Sequence, residues 1–384
     1  MTTTNSNGQI INTNFGGQMD MRASHQWATR PDDERFTNLI DLHAHCSKSR
    51  RNSKSAVLAN RDLLAEPVSD DNAGLMVVGP TGNRVAASHW AFGQLAGLAG
   101  APAGYLRTLP APLAADLLNY GLHHQRDVEE CGVLLTREDD GAVTLRAATG
   151  PQYGRVWNSD LTQRLVDRFG DGLSGDFRVP GEFGKAVDIS KRNTTLFAGD
   201  RDMFVFLADE QNRIELPNRR DGRTGSLARG FMIKNSEVGG GTLELAAFLF
   251  DFTCSNRSIH GINHMTEIKI RHTKGAPHKL AETLLPTLES FTINNREQLL
   301  NTERMIKAAQ NKRLDDVDTF LKARRFSGAQ ASAIKTTAMM EEGRPIETLW
   351  DASAAVTAYA RGFANQDART DLERIGGQIL DMAA

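Results

Sequence analysis

The sequence predicts an α+β fold in which a mostly antiparallel, curved sheet with flanking helices precedes an all-helical C-terminal region. Two observations support this prediction. Apolar runs of strand length, separated by turns that contain Gly and Asn, dominate the middle of the 384-residue chain. From about residue 277 the apolar residues recur at helical spacing instead. A 40% share of hydrophobic residues supports a buried core in a chain of this length.

Three regions follow from these patterns. Residues 1–55 are expected to form a flexible N-terminal arm, because the first 35 are rich in polar residues and 47–55 form a basic, serine-rich stretch. An α+β core domain is predicted over 56–276. The helical C-terminal region is predicted over 277–384.

The core begins with a predicted strand pair and two helices. The strands are 74–79 and the segment RVAAS that follows a Pro-Thr-Gly-Asn turn. Apolar residues at Trp90, Phe92, Leu95 and Leu98 predict a helix, and Pro112 begins a second helix. This second helix carries no cations up to Leu122, so a packing role is favoured over DNA reading.

Further strands and one more helix complete the predicted core. Residues 131–150 read as a hairpin around an Asp-Asp-Gly turn. A helix is predicted over 157–169, with Asn158 or Ser159 as its N-cap. The remaining predicted strands are 201–210, 228–237, 242–254 and 266–273.

Composition limits the classes of function. The formal net charge is −2, so anion binding would depend on local clusters of cations. The three cysteines are far apart and predict reduced thiols. The N-terminus lacks a signal-peptide pattern, and the apolar stretch 243–250 is too short to cross a bilayer. We therefore expect a soluble, cytoplasmic protein that does not enter a membrane.

The motifs that suggest catalysis are weak. His43, His45 and Cys46 are ligand types for zinc, but no second ligand cluster follows them at a usual spacing. The glycines at 239–241 lie between two strands and are not followed by Lys-Ser/Thr, which favours a flexible hairpin tip or bulge over a nucleotide site. Cys254 ends an apolar strand and is expected to be structural. No metal or other cofactor is expected, and the sequence favours binding over catalysis.

Local clusters of cations are the most informative feature. Residues 211–234 hold six Lys or Arg against two carboxylates, and 254–280 hold five against one. Such segregation suits a phosphate backbone, although a solvated basic sheet edge would have the same composition. The residues predicted to contact nucleic acid are Arg219, Arg220, Arg223, Arg229, Lys234, Asn235, Asn256, Arg257, Lys269, Arg271, His272 and Lys274.

Several blocks of the sequence resemble a family of phage and plasmid proteins known as "domain of unknown function 932". The matching blocks span about 56–280 and include HWAFGQLAGLAGAPAGYLRTLP, LRAATGPQYGRVWNSDL and RGFMIKNSEVGGGTLELAAFLFDFTCSNRSIHG. Within them, Asn235, Ser236 and Gly239 match an Asn-Ser-x-x-Gly segment, and Cys254, Asn256 and Gly261 match a second segment. An Arg-His pair is matched by Arg271 and His272. The resemblance implies a mobile-element protein in a bacterial cytoplasm.

These observations leave three hypotheses open. The leading one is a phage- or plasmid-encoded DNA-metabolism protein that binds single-stranded nucleic acid, with a role in strand annealing or recombination and with homo-oligomers as the expected state. The second is a host-interaction or anti-defence factor that binds a host protein through its C-terminal helices. The third is a metal-dependent hydrolase. Fold-level analogy to annealing proteins favours the first.

Overall fold

The computed structural model of the protein describes residues 2–4, 10–12, 30–68, 74–124, 129–180, 188–216, 225–251, 258–261, 267–293, 296–360, 362–363 and 366–383. The strands are β1 (Thr2–Thr4), β2 (Ile10–Asn12), β3 (Arg35–Phe36), β4 (Ser53–Ala59), β5 (Leu64–Pro67), β6 (Leu75–Val78), β7 (Arg84–Ala87), β8 (Glu130–Arg137), β9 (Val143–Thr149), β10 (Phe177–Arg178), β11 (Leu196–Ala198), β12 (Met203–Asp209), β13 (Ile214–Leu216), β14 (Gly225–Asn235), β15 (Leu243–Asp251), β16 (Ser258–Gly261) and β17 (Glu267–Ile270).

The helices are α1 (Leu39–Arg51), α2 (His89–Leu98), α3 (Ala103–Leu106), α4 (Ala111–His124), α5 (Asn158–Phe169), α6 (Ala276–Lys279), α7 (Leu285–Thr292), α8 (Arg296–Asn311), α9 (Val317–Ala323), α10 (Gly328–Glu342), α11 (Leu349–Ala360) and α12 (Gln366–Asp381). A π-helical turn over Leu280–Leu284 joins α6 to α7. The α+β fold class is confirmed. Within the described part of the chain, no helix is long and apolar enough to span a bilayer.

A six-stranded sheet contains the first half of the core. Its order is β4-β8-β9-β7-β6-β5, and only the β7–β9 pair is parallel. The predicted hairpin over 131–150 is confirmed as β8 and β9. The two predicted helices are confirmed as α2, which Ser88 caps through a bond from Ala91 N, and α4. Both helices pack on one face of this sheet through Leu95, Leu118 and neighbouring apolar residues.

A second sheet holds the strands predicted from the middle of the chain. Within the described residues it has nine strands, and its main path runs β16-β15-β14-β12-β11-β3 with antiparallel pairing. Val205, Phe231 and Ile233 project from one face into a core that also takes up residues from α1 and α5. Alternation places these side chains on the same face because a strand repeats every two residues.

The C-terminal helices form a core of their own. Ile306, Leu321, Trp350 and Leu380 are buried together, and Leu227 of β14 joins them. The helical C-terminal region is thus confirmed. Its separate core, however, does not begin at the expected residue 277. The apolar residues of 276–291 belong to the core of the nine-stranded sheet instead.

The expectation of a flexible arm over 1–55 is wrong for its second half. Asn38 caps α1 by accepting a hydrogen bond from Asp41 N, and Leu39, Leu42 and Cys46 are buried in the core of the nine-stranded sheet. Three apolar residues at helical spacing are enough to attach this helix. The helix was not predicted because Lys, Arg, Ser and His residues occupy most of its other positions.

Candidate functional site

The two large sheets meet at the connection between β14 and β15. This intersheet junction, as we call it, consists of residues 235–241, the segment 153–158, residues 271–274, and the side chains of Arg50, Trp90, Gln94, Arg146 and Arg201 that contact them. Three blocks noted in the sequence therefore converge on one place.

Glu237 lies at the centre of the intersheet junction and is 2% exposed. Its Oε1 accepts a hydrogen bond from Asn158 N over 2.7 Å, and its Oε2 accepts one from Arg146 Nη1 over 3.0 Å. A carboxylate at a helix N-terminus interacts favourably with the positive end of the helix dipole. Glu237 thus supplies the N-terminal capping interaction of α5, for which the sequence indicated Asn158 or Ser159.

Side chains from the layer of the six-stranded sheet bind the backbone of the same loop. The Val238 carbonyl accepts hydrogen bonds from Trp90 Nε1 at 2.9 Å and from Gln94 Nε2 at 2.7 Å. The Glu237 carbonyl accepts one from Arg155. The loop does join two antiparallel strands, but residues 235–238 are buried, so the predicted flexible tip is in fact a fixed contact between the sheets.

Two glycines allow the backbones of the intersheet junction to approach each other. A Cβ at Gly154 would lie 1.8 Å from the Thr273 carbonyl oxygen. Gly239 has a φ of +81°, and a Cβ there would lie 3.1 Å from Gln94 Nε2. Close approach and left-handed backbone, rather than phosphate binding, explain these two glycines.

His272 attaches the third segment. Its Nδ1 is 3.1 Å from the Gly154 carbonyl, so this nitrogen donates, and its ring stacks on Tyr153 with centroids 4.9 Å apart. The Tyr153 hydroxyl in turn donates to the Ser236 carbonyl at 2.7 Å. Burial lowers the pKa of His272 and raises that of Tyr153. Both groups are therefore neutral near pH 7.

Guanidinium groups lie over the aromatic rings of the intersheet junction. Arg155 lies 5.4 Å from the ring centroid of Tyr153 and 5.6 Å from that of Trp157. Arg50 lies 5.3 Å from the Trp157 ring, and Arg201 lies 4.6 Å from the ring of Trp90. Burial lowers the pKa of Arg155, which marks a cation that is partly withdrawn from water.

Two residues from the predicted nucleic-acid set lie in the interior. Arg229 and its partner Asp209 are each 1% exposed, and the Arg229 guanidinium also lies over Phe177 and Phe291. Asn235 is fully buried and donates to the Val156 carbonyl at 2.9 Å. The predicted contacts of these two residues are thus corrected, because neither can reach a phosphate.

The other predicted residues fall into three groups. Arg271, His272 and Lys274 belong to the intersheet junction, where Arg271 and Lys274 are exposed. Lys234 and Lys269 face Glu244 across the nine-stranded sheet, and Lys269 Nζ lies 3.6 Å from Glu244 Oε1. The residues that lie outside the described part of the chain are Arg219, Arg220, Arg223, Asn256 and Arg257, together with Cys254.

The histidines of the suggested metal fragment are used elsewhere. His43 and His45 lie on α1, where residues two apart do not share a face. His43 Nδ1 is 3.0 Å from Thr162 Oγ1, and His45 packs against Phe36. Across the described residues, no group of three or more His, Cys, Asp or Glu side chains could hold a metal ion.

Sequence reasoning missed the aromatic residues and arginines of the intersheet junction. Tyr153, Arg155 and Trp157 alternate along one segment, a spacing that places side chains on the same side of extended backbone. This alternation was the feature of the sequence from which the cluster could have been predicted. The roles of Trp90 and Arg201 depend on how the two sheets meet and leave no local mark in the sequence.

Comparison with known proteins gives no match: no family model fits the chain, and neither the curated proteins nor the solved structures include a detectable relative. The resemblance to the phage and plasmid family stays a prediction.

Proposed function

We propose that this chain binds single-stranded nucleic acid at the intersheet junction. The observation that carries the proposal is the set of guanidinium groups that lie over the rings of Trp90, Tyr153 and Trp157. Aromatic rings and guanidinium planes offer flat surfaces on which unpaired bases stack, and the same guanidinium groups neutralise phosphates.

Cations outnumber carboxylates at the intersheet junction. Arg50 pairs with Asp160, and Arg146 pairs with Glu237. Arg155, Arg201, Arg271 and Lys274 form no ion pair with any residue that the structure describes. Asp200 lies beside Arg146, because its carbonyl accepts a hydrogen bond from Arg146 Nε at 3.2 Å. With Asp200 counted as well, the intersheet junction has six cations and three carboxylates. This excess supports binding of a polyanion.

The aromatic component favours single strands over duplexes. Bases in a duplex are stacked on one another and do not present their faces to a protein, whereas a single strand does. The sequence carries no motif for nucleotide hydrolysis, which fits a binding protein that acts by contact alone. A role in annealing or recombination, in the cytoplasm of a bacterium that carries a phage or plasmid, rests on the family resemblance.

The test is fluorescence anisotropy with labelled oligothymidylate and with the matching duplex, at about 50 and 200 mM salt. We expect binding to the single strand that weakens at the higher salt. The variant Arg271→Ala/Lys274→Ala removes two exposed cations of the intersheet junction. It should reduce the slope of log affinity against log salt by about 1.4, since each lost phosphate contact of a single strand contributes about 0.7.

The matched control is Lys307→Ala/Arg313→Ala, which removes an exposed lysine of α8 and an exposed arginine of the connection between α8 and α9. It should bind as the wild type does. An equal loss of affinity in both variants would mean that binding follows overall charge rather than this site. No anisotropy change for the wild type at the lower salt would overturn the proposal.

A further inference from the structure

The outer edge of β4 is open. Arg137 N donates to the Asn52 carbonyl, and Asn60 N donates to the Glu129 carbonyl. With the register of β4 and β8, these two bonds show that the even-numbered residues of β4 bond to β8. The N–H and C=O groups of Ser55 and Val57 therefore point away from β8. Among the described residues nothing bonds to these groups, and the Val57 residue is 54% exposed.

The opposite edge of the same sheet is closed by a side chain. Asn119 Oδ1 accepts a hydrogen bond from Ala65 N at 2.7 Å, and Asn119 Nδ2 donates to the Ala65 carbonyl at 2.9 Å. The amide of Asn119 thus occupies the position that a further strand would take at β5. Proteins commonly protect sheet edges in such ways, so an edge that stays open is a candidate for pairing.

The two ends of β4 differ in charge. Around its first residue, five cations and four carboxylates leave an excess of one positive charge. Around its last residue, three carboxylates and one cation leave an excess of two negative charges. The first set is Lys48, Arg50, Arg51, Lys54, Arg137, Glu138, Asp139, Asp140 and Asp160, which pairs with Arg50. The second set is Arg61, Asp62, Glu129 and Glu130. We call these sets the basic end and the acidic end of β4.

We propose that β4 pairs with β4 of a second copy of this chain, antiparallel across a two-fold axis. Antiparallel pairing places the basic end of one copy opposite the acidic end of the other, at both ends at once. A two-fold axis makes the contact self-complementary. The small side chains of Ser55 and Ala56 leave room beside the new ladder, and Lys54, a residue type that otherwise protects edges, has the partner's acidic end opposite it.

The backbone part of the proposal is tested by Val57→Pro, with Val57→Ala as its control. Proline removes the outward N–H of Val57 and leaves the ladder to β8 intact, because Val57 does not bond to β8. Light scattering and sedimentation over a range of concentrations, without nucleic acid, should show a dimer for the wild type and for Val57→Ala. Val57→Pro should raise the dimer dissociation constant at least tenfold.

The charge part is tested by reversing each end separately. Lys54→Glu/Arg137→Glu makes both ends acidic, and Glu129→Lys/Glu130→Lys makes both ends basic. Each variant alone should be monomeric, whereas an equimolar mixture should form a heterodimer. These variants leave the backbone ladder untouched, so they decide the matter if Val57→Pro fails to fold. A wild type that stays monomeric at all concentrations, or a mixture that stays monomeric, would overturn the proposal whether or not the chain binds nucleic acid.

Discussion

Glu237 Oε1 accepts a hydrogen bond from Asn158 N, so a carboxylate 79 residues further along the chain begins helix α5. Its second oxygen pairs with Arg146 of β9, in the other sheet. One side chain thus joins a hairpin of the nine-stranded sheet, a helix packed on it, and the six-stranded sheet. Because Glu237 is buried, loss of its charge would leave Arg146 without its partner.

Glu237→Gln tests the weight of that ion pair. The amide oxygen of glutamine can still accept from Asn158 N, but it cannot compensate the charge of Arg146. We expect the free energy of unfolding, measured by urea denaturation, to fall by about 3 kcal/mol. The control Glu215→Gln, at an exposed position of β13, should change it by less than about 0.5 kcal/mol. A loss below about 1 kcal/mol for Glu237→Gln would contradict the central role given to Glu237.

Gly154→Ala tests the close approach between the segments 153–158 and 271–274. The added methyl group would collide with the Thr273 carbonyl oxygen, and backbone atoms cannot rotate away as a side chain can. We expect a loss of about 3 kcal/mol in the free energy of unfolding. Gly150→Ala is the matched control, because no atom lies within 4 Å of a Cβ built there. Equal melting temperatures for the two variants would show that the contact is not needed.

The periodic parts of the fold could be predicted from the sequence. Alternation of apolar and charged residues gave the strand that contains Ile268, Lys269 and Ile270, and helical spacing gave α5. In both elements, burial of one face is encoded locally. The capping of α5 by Glu237 is not local, because it depends on two segments that meet only in the folded protein.

The candidate site was predicted only in part for the same reason. The clusters of cations in the sequence predicted Arg271 and Lys274, which are exposed. They also predicted Arg229, which forms an ion pair with Asp209 inside the protein. Composition does not distinguish an arginine on the surface from one in the core. Arg229 can lie in the core because it pairs with Asp209, a carboxylate 20 residues away in sequence. The two residues meet because β12 and β14 are neighbours in the sheet.

The cysteines provide a test of burial. Burial raises the pKa of Cys46 to about 12 and that of Cys131 to about 11, and only the thiolate reacts. In a Cys254→Ser background, the native protein should show no rapid reaction with a disulfide reagent at about pH 8, and two thiols should react after unfolding in urea. Rapid reaction of one thiol in the native protein would place α1 or β8 outside the core.

His272 predicts how stability depends on pH. Burial lowers its pKa in the folded protein, and this effect outweighs the hydrogen bond to the Gly154 carbonyl, which raises it. The unfolded chain has a histidine pKa of about 6.5. Below about pH 6.5 the unfolded state binds the proton more readily than the folded state does. The free energy of unfolding is therefore highest above about pH 6.5 and falls as the pH drops from about 6.5 towards the folded pKa. His272→Gln keeps a donor for the Gly154 carbonyl but does not titrate. Between about pH 5 and 7 its stability should therefore depend less on pH than that of the wild type. Burial also lowers the pKa of His45 and His89, so a smaller slope should remain. Parallel curves for the variant and the wild type in urea denaturation would show that His272 stays accessible to protons in the folded state.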